Sequence, residues 1–99
     1  MLVHTVFFWL KEGLSEEDLK LFDEKLRTLT SISSVKQGYV GTPSSTEKRP
    51  VIDDSYNYSL TNIFESIEDQ NIYQVHDIHN EFIDLCSRMW EKVIVYDAD

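Results

Sequence analysis

The sequence predicts an α+β fold built from segments of strand and helix character in the order β-α-β-β-α-β. Runs of β-branched and aromatic residues are typical of strands, and apolar residues three or four positions apart are typical of half-buried helices. A helix-capping pattern, a serine followed by acidic residues, occurs twice, at Ser15-Glu-Glu-Asp18 and at Ser66-Ile-Glu-Asp69. The two patterns are 51 residues apart, so the chain divides into two similar halves. Both halves fit a single domain, residues 1–99, since domains run about 100–200 residues.

The first half of the chain predicts a strand, a helix and a second strand. Residues 2–10 are rich in Val, Thr, Phe and Trp and predict the first strand. Ser15 predicts the start of a helix whose first turn holds acidic residues, which the helix dipole favours at that end. Residues 30–34 end this helix, and residues 35–41 predict the second strand. The buried stripe of the helix is expected to consist of Leu19, Phe22, Leu26 and Leu29.

The second half repeats this order. Residues 56–64 predict the third strand and residues 92–97 the fourth. Ser66 begins a second helical region, whose buried face is expected to hold Ile78, Phe82, Leu85 and Met89. This order is the split βαβ, ferredoxin-like arrangement, a four-stranded antiparallel sheet with two helices on one face. Residues 42–54 form a long connection, which we expect to be either a solvated surface loop or a mobile flap.

The charge balance makes two classes of partner unfavourable. Eighteen acidic and nine basic residues give a net charge of −9. Nucleic acids are bound chiefly by Lys and Arg at phosphates, and anionic membranes attract basic segments, so we expect neither partner. The apolar run at residues 2–10 is shorter than the roughly 20 residues that span a bilayer, and it lacks the flanks of a secretion signal. A cytoplasmic location is therefore expected.

Both faces of the first strand are apolar, and this predicts a second subunit. Alternation places Leu2, His4, Val6 and Phe8 on one face and Val3, Thr5, Phe7 and Trp9 on the other. An antiparallel strand with one wet face should alternate apolar with polar residues, yet residues 93–96 are also apolar on both faces. Two helices cover one face of the sheet, and burial of the other is worth roughly 25 cal/mol per Å². We therefore expect a two-fold homodimer that packs sheet against sheet.

The candidate chemical groups are Tyr73 and the three histidines, His4, His76 and His79. In Tyr73-x-x-His76-x-x-His79 the groups would spread over about 120° of a continuous helix and could face one cavity, toward which His4 would point from a helix-covered strand face. Imidazole exchanges protons near neutral pH, and a phenol can donate to a developing oxyanion. A Tyr/His pair in a dry pocket therefore suits proton abstraction beside a carbonyl or an aldol-type closure. The structural interpretation is that these side chains cap and bridge helix ends.

Three histidines could also bind zinc, copper or iron. The chain has no His-Glu-x-x-His spacing, no phosphate-binding glycine loop and no dinucleotide fingerprint, so we expect no metal and no cofactor. The one cysteine, Cys86, excludes an internal disulfide and is expected to be a small buried side chain rather than a nucleophile. Trp9 and Trp90 are expected to anchor the core or an interface.

Four stretches of the chain match a known family in their order and spacing. They are His4-Thr-Val-Phe-Phe-Trp-Leu-Lys11, Tyr58-Ser-Leu-Thr-Asn-Ile-Phe64, Tyr73-x-x-His76-x-x-His79 with Phe82, and Trp90-Glu-Lys-Val-Ile-Val-Tyr-Asp97. In these stretches the chain resembles the stress-responsive A/B barrel (Dabb) family over essentially its full length. The resemblance implies a ferredoxin-like subunit that pairs as a dimeric α/β barrel, in agreement with the argument from the strand faces.

The resemblance also implies roles for the candidate residues. By similarity to a plant polyketide cyclase of the family, Tyr73 would orient or polarise a carbonyl and His79 would be the general base. His4, Tyr58 and His76 would belong to the polar lining that contacts the substrate. Asp77 stands where the family commonly has a proline, so this chain lacks the residue that breaks the helix and directs His79 in the family. Tyr58 stands where the cyclase has a histidine, so a different polar lining and a different substrate are expected.

Three functions stay open at this point. The chain could be a homodimer with a small-molecule pocket and no assigned reaction, for example in stress tolerance. It could be a cofactor-independent lyase or cyclase that uses His79 as general base on a polyketide-like carbonyl compound. By analogy of fold alone, it could also be a metal- or haem-dependent monooxygenase. A cavity of about 300 Å³ or more between the second helical region and the sheet, with His79 facing inward, would favour ligand binding, whereas a filled core would favour a plain dimer.

Overall fold

A computed structural model describes residues 1–99 and confirms the predicted ferredoxin-like fold. The four strands are β1 (Leu2–Leu10), β2 (Gln37–Gly41), β3 (Tyr58–Phe64) and β4 (Trp90–Ala98). The helices are α1 (Glu16–Thr28), α2 (Ile67–Val75) and α3 (Asp77–Cys86), and 3₁₀ turns follow α1 and α3 at Leu29–Ser31 and Ser87–Met89. The sheet order is β2-β3-β1-β4, and every neighbouring pair of strands is antiparallel.

The second helical region is two helices rather than one. α2 ends at Val75 and α3 begins at Asp77, and His76 between them has extended backbone angles (φ −68°, ψ 145°). The Tyr/His motif therefore does not lie on one continuous helix. No helix combines the length and the apolar character needed to traverse a bilayer.

Both predicted helix starts are confirmed. The Ser15 Oγ accepts a hydrogen bond from the backbone N–H of Asp18 at 3.1 Å, and the Ser66 Oγ accepts one from Asp69 at 3.2 Å. A helix leaves the N–H groups of its first turn without backbone partners, and these serines supply partners. The capping sequences thus fix where α1 and α2 begin.

The core lies between the helices and one face of the sheet. Phe22 of α1 is completely buried, and its ring centroid lies 5.4 Å from that of Phe8 and 5.7 Å from that of Phe82. Cys86 is buried, as predicted, and Trp90 packs on Phe8. β1 directs five alternate residues into this core, namely Leu2, His4, Val6, Phe8 and Leu10. The face of β1 that carries His4 is therefore the helix-covered one.

Two residues predicted to be buried are not. Leu19 is 42% exposed and Leu85 is 37% exposed. Leu19 lies in the first turn of α1, before the first fully buried position of that helix. The buried side of α3 contains Phe82 and Cys86, and Leu85 is rotated by about 100° from Cys86 around the helix axis.

The opposite face of the sheet, here called the open face, has no helix over it. Strand register pairs Phe7 with Ile94 and Thr5 with Tyr96 on this face. Tyr96 is 62% exposed, although it lies on a strand of the sheet. The open face also holds Val3, Trp9, Tyr39 and Ile63. The prediction of apolar residues on both faces of β1 and β4 is confirmed.

The end of the long connection turns onto the open face. The ring of Tyr56 lies 4.9 Å from that of Phe7, and the Trp9 Nε1 donates a hydrogen bond to the Ser55 Oγ at 3.0 Å. Asn57 is tied to β1 by its backbone N–H, which donates to the Phe8 carbonyl at 2.8 Å. These contacts place the residues next to β3 on the side of the sheet away from the helices.

Gly38 of β2 fits a space that admits no side chain. A Cβ added there would lie 2.4 Å from the Asn62 Oδ1 and 2.7 Å from the Thr30 Cβ. Overpacking of this kind costs about 1–3 kcal/mol, so Gly38→Ala should lower the free energy of unfolding by that amount in urea titrations. Gly41→Ala is the matched control on the same strand, because its Cβ would meet only the Ser59 Oγ at 3.6 Å. Equal losses in both variants would contradict this explanation.

Candidate functional site

A cavity of about 200 Å³ lies between the helix-covered face of the sheet and the second helical region. Its polar lining consists of His4, Tyr73, Gln74 and His79, and the remaining lining is apolar. Ile83, Val93 and Val95 line it as well and are partly open to solvent, so the cavity opens between α3 and β4. The space is not filled and His79 lines it, but its volume is below the roughly 300 Å³ that was expected of a ligand-binding pocket. It therefore suits only a small ligand.

Tyr73 stands between two histidines of this cavity. It is almost completely buried, and its ring centroid lies 4.9 Å from that of His79 and 5.9 Å from that of His4. Burial raises the pKa of Tyr73 far above its ordinary value, and the neighbouring Asn62 side chain offsets part of this rise. The phenol is therefore neutral at physiological pH and can donate a hydrogen bond to an oxygen in the cavity.

His79 is a neutral base beside this phenol. It is the third residue of α3, and its Nδ1 is buried without a hydrogen-bond partner. Burial lowers the pKa of His79, and the positive charge that His4 can bear lowers it further. At pH 7 the imidazole is thus unprotonated on one nitrogen, which is the state a general base needs.

Loss of stability in acid should follow from this environment. Because the folded-state pKa of His79 lies below its unfolded value of 6.5, the unfolded chain takes up a proton first as the pH falls. The stability that the neutral imidazole contributes is complete above pH 6.5 and is lost as the pH falls through the folded-state pKa. Urea titrations at pH 7.5 and pH 5 should show a larger loss for the wild type than for His79→Gln. An equal loss in the two proteins would contradict the assignment.

His4 is oriented by a carboxylate that the sequence analysis missed. His4 and Asp97 are register partners on β1 and β4, and the His4 Nδ1 lies 2.5 Å from the Asp97 Oδ1. The imidazole is buried, whereas the Asp97 side chain is 48% exposed. A carboxylate on one ring nitrogen fixes the tautomer and direction of the imidazole, and leaves the other nitrogen for the cavity. The sequence did hold a signal for this contact, because alternation along β4 places Asp97 on the same strand face as Val93 and Val95.

His76 belongs to the helix break rather than to the cavity lining. Its Nδ1 accepts a hydrogen bond from the backbone N–H of Ile78 at 3.1 Å and so caps α3. This is the capping interpretation that the sequence left open. The structure does not bring His76 to the other candidate site residues, and we do not retain it as a substrate contact.

Tyr58 also lies outside the cavity. Its hydroxyl donates a hydrogen bond to the Asp23 Oδ2 at 2.8 Å, and its ring packs 5.3 Å from that of Phe22. Burial, together with the hydrogen bond to Asp23, raises the pKa of Tyr58 to about 12. The side chain therefore ties β3 to α1, and the structure separates it from Tyr73 and His79.

The side chains that could coordinate a metal ion are not clustered in this chain. No group of three or more His, Cys, Asp or Glu side chains is placed to hold one. The polar groups that converge are His4, Tyr73 and His79, and they suit the oxygen atoms and protons of an organic ligand.

The comparisons with known proteins identify the family. The model of the stress-responsive A/B barrel domain (Dabb) matches residues 2–99. The chain belongs to this family. No curated protein matches the chain at a significant level.

Solved structures similar to this Dabb chain share its fold. A Dabb protein with a ferredoxin-like fold from Mesorhizobium loti is 25% identical, with a TM-score of 0.77 over 99% of this chain and 94% of that one. A dimeric ferredoxin-like protein from Thermobifida fusca is 13% identical, with a TM-score of 0.79 over 98% and 88%. The hydroxynitrile lyase of Passiflora edulis is 22% identical, with a TM-score of 0.77 over 98% and 90%. The shared fold includes proteins described as dimers and one described as a lyase.

Proposed function

We propose that this Dabb chain forms a homodimer whose subunits pack open face to open face. No helix covers the open face: Phe7 and Ile94 are half-buried there, Tyr96 is 62% exposed, and the same chain adds only the ring of Tyr56 against Phe7. It also contains a shallow cavity of about 190 Å³, bordered by Phe7, Trp9 and Lys92, which a second subunit would close. A Thermobifida fusca protein of the same fold is described as dimeric, which supports a dimer of this chain.

We further propose that each subunit is a cofactor-independent lyase or cyclase acting on a small carbonyl compound. The observation that supports this most directly is the pairing of Tyr73 with His79, two neutral groups whose rings lie 4.9 Å apart in a mainly apolar cavity. The passion-fruit hydroxynitrile lyase adds support, since it places lyase chemistry on this fold. The whole family need not share one reaction, because function resides in the site rather than in the fold.

In the proposed reaction His79 removes a proton from the carbon beside a carbonyl group. The electron pair of the broken C–H bond moves into the new C=C bond, and negative charge develops on the carbonyl oxygen. Tyr73 donates a hydrogen bond to that oxygen, which stabilises the charge where it develops. His4, oriented by Asp97, supplies a second polar group at the same cavity. Reaction of the enolate with a second carbonyl carbon is the aldol closure.

Isotope exchange with acetophenone tests this proposal without knowledge of the natural substrate. The compound has one ring, one carbonyl and a methyl group whose protons are adjacent to that carbonyl. In D₂O the protein should bind it and speed the replacement of methyl protons by deuterons, which NMR follows directly. Benzaldehyde is the matched probe for binding alone, since it has no such protons.

A ligand-binding Dabb dimer without catalysis is the second candidate function. The cavity volume of about 200 Å³ favours it, because this space is small for a polyketide-like chain. Such a protein would bind acetophenone or benzaldehyde, shift the NMR signals of His79, and leave the methyl protons of acetophenone in place. That result would overturn the lyase or cyclase proposal while retaining the pocket.

A further inference from the structure

The break between α2 and α3 is what allows Tyr73 and His79 to meet. The two residues are six positions apart, so on one continuous helix their side chains would point about 120° apart and lie about 9 Å apart along the axis. With the break, their ring centroids are 4.9 Å apart and both rings line the same cavity. The proposed acid–base pair therefore depends on a change of chain direction at one residue.

His76 provides hydrogen bonds to both helices at this break. Its backbone N–H donates a hydrogen bond to the Tyr73 carbonyl at 3.2 Å, at the C-terminal end of α2. Its Nδ1 accepts a hydrogen bond from the Ile78 N–H at 3.1 Å and so caps the N-terminus of α3. The backbone N–H of Asn80 donates to the His76 carbonyl at 3.0 Å, and the Asn80 Nδ2 donates to the Val75 carbonyl at 3.4 Å. No glycine or proline is present to end α2. At the start of α3, the side chain that caps the helix is the His76 imidazole.

We propose that His76 is a positioning residue, whose imidazole cap sets the direction of α3 and thereby holds His79 against Tyr73. The cap bonds to Ile78, the residue immediately before His79 in the first turn of α3. Loss of the acceptor leaves that N–H without its partner, and α2 can then extend through residue 76 and rotate His79 away. The catalytic meaning of this role rests on the proposed function, but the geometry itself can be tested without any ligand.

The NMR signals of the His79 ring report this geometry, because the Tyr73 ring 4.9 Å away shifts them by its ring current. His76→Ala removes the acceptor and should move the His79 Cε1–H signal toward the value of an unstructured histidine. His76→Asn restores an oxygen acceptor, since asparagine is a good helix cap, and should keep the shifted signal. Ser66→Ala is the matched control, because it removes the equivalent cap of α2 and should leave the His79 signal in place.

Three results would overturn the proposal. The first is a His79 Cε1–H signal in His76→Ala at the same position as in the wild type. The second is a signal at the unstructured value in His76→Asn as well as in His76→Ala, and the third is an equal displacement of the signal in Ser66→Ala. Circular dichroism checks that each variant folds. If His76→Ala does not fold, His76→Asn is compared with His76→Gln, because the longer amide of glutamine does not match the cap geometry. The His79 signal should then be kept in His76→Asn and displaced in His76→Gln. Acetophenone exchange in the same variants separates the two proposals. If His76→Asn keeps the wild-type His79 signal but the wild type does not exchange the acetophenone protons, the proposed reaction is contradicted and the positioning role of His76 is retained.

Discussion

Phe7→Glu is expected to convert the proposed dimer of this Dabb chain into monomers of 11.6 kDa. Phe7 lies on the open face, where it pairs with Ile94 across the strands and contacts the rings of Tyr56 and Tyr96 at 4.9 and 6.3 Å. An unpaired carboxylate at a packed interface carries a desolvation penalty of several kcal/mol. In a two-fold dimer the substitution occurs twice, so even about 2 kcal/mol per copy weakens association roughly a thousandfold.

Light scattering after size-exclusion chromatography measures this result directly. Wild-type protein at micromolar concentration should have twice the chain mass, and Phe7→Glu should have the mass of one chain with unchanged helix content. Ile67→Glu is the matched control, because it places the same charge on an exposed apolar residue of α2 on the helix side of the sheet. A monomeric wild type, or a dimeric Phe7→Glu protein, would contradict the proposed interface.

The features that the sequence predicts well are those with a local signal. Alternation in β1 separates the buried Val6 from the open-face Phe7, because neighbouring side chains of a strand must point in opposite directions. Ser15 and Ser66 locate two helix starts, because the cap bond reaches only three residues along the chain. Cys86 is likewise predicted correctly from its position in an apolar segment.

The features that the sequence does not predict depend on long-range packing or on unusual chemistry. Asp97 meets His4 across 93 residues, and only the register of β1 with β4 brings them together. Tyr58 shares a strand face with Leu60, but its position along β3 places it over α1 and beside Asp23, outside the cavity. The break at His76 has no proline or glycine as a marker, and an imidazole cap is not part of the usual capping pattern.

The Asp97–His4 contact, the position of Tyr58 and the helix break at His76 change the chemistry expected of the site. Apart from Gln74, the polar side chains that line the cavity are His4 from β1, Tyr73 from α2 before the helix break and His79 from α3 after it. The carboxylate of Asp97 forms a hydrogen bond with His4. His79 has no such partner, and because burial lowers its pKa it is a neutral base. The two cavity histidines therefore differ in environment, and only His79 has the unpaired, desolvated state that suits proton removal from carbon.

His79→Gln is accordingly expected to reduce the exchange of acetophenone methyl protons by a factor of about 10²–10⁴, the usual contribution of a general base. Glutamine keeps a polar side chain of similar size but cannot take up the proton. Binding of benzaldehyde should change little, because the cavity is mainly apolar and keeps its shape. Tyr73→Phe should reduce exchange as well, since it removes the hydrogen bond to the developing oxyanion.

The pH dependence of the wild-type rate distinguishes His79 from other bases. Because burial lowers the pKa of His79 below 6.5, exchange should be independent of pH in the neutral range and should fall only as the imidazole becomes protonated in acid. His79→Gln should lose this acid limb along with the rate. Undiminished exchange in His79→Gln, or a rate that falls instead above pH 7, would show that another group removes the proton.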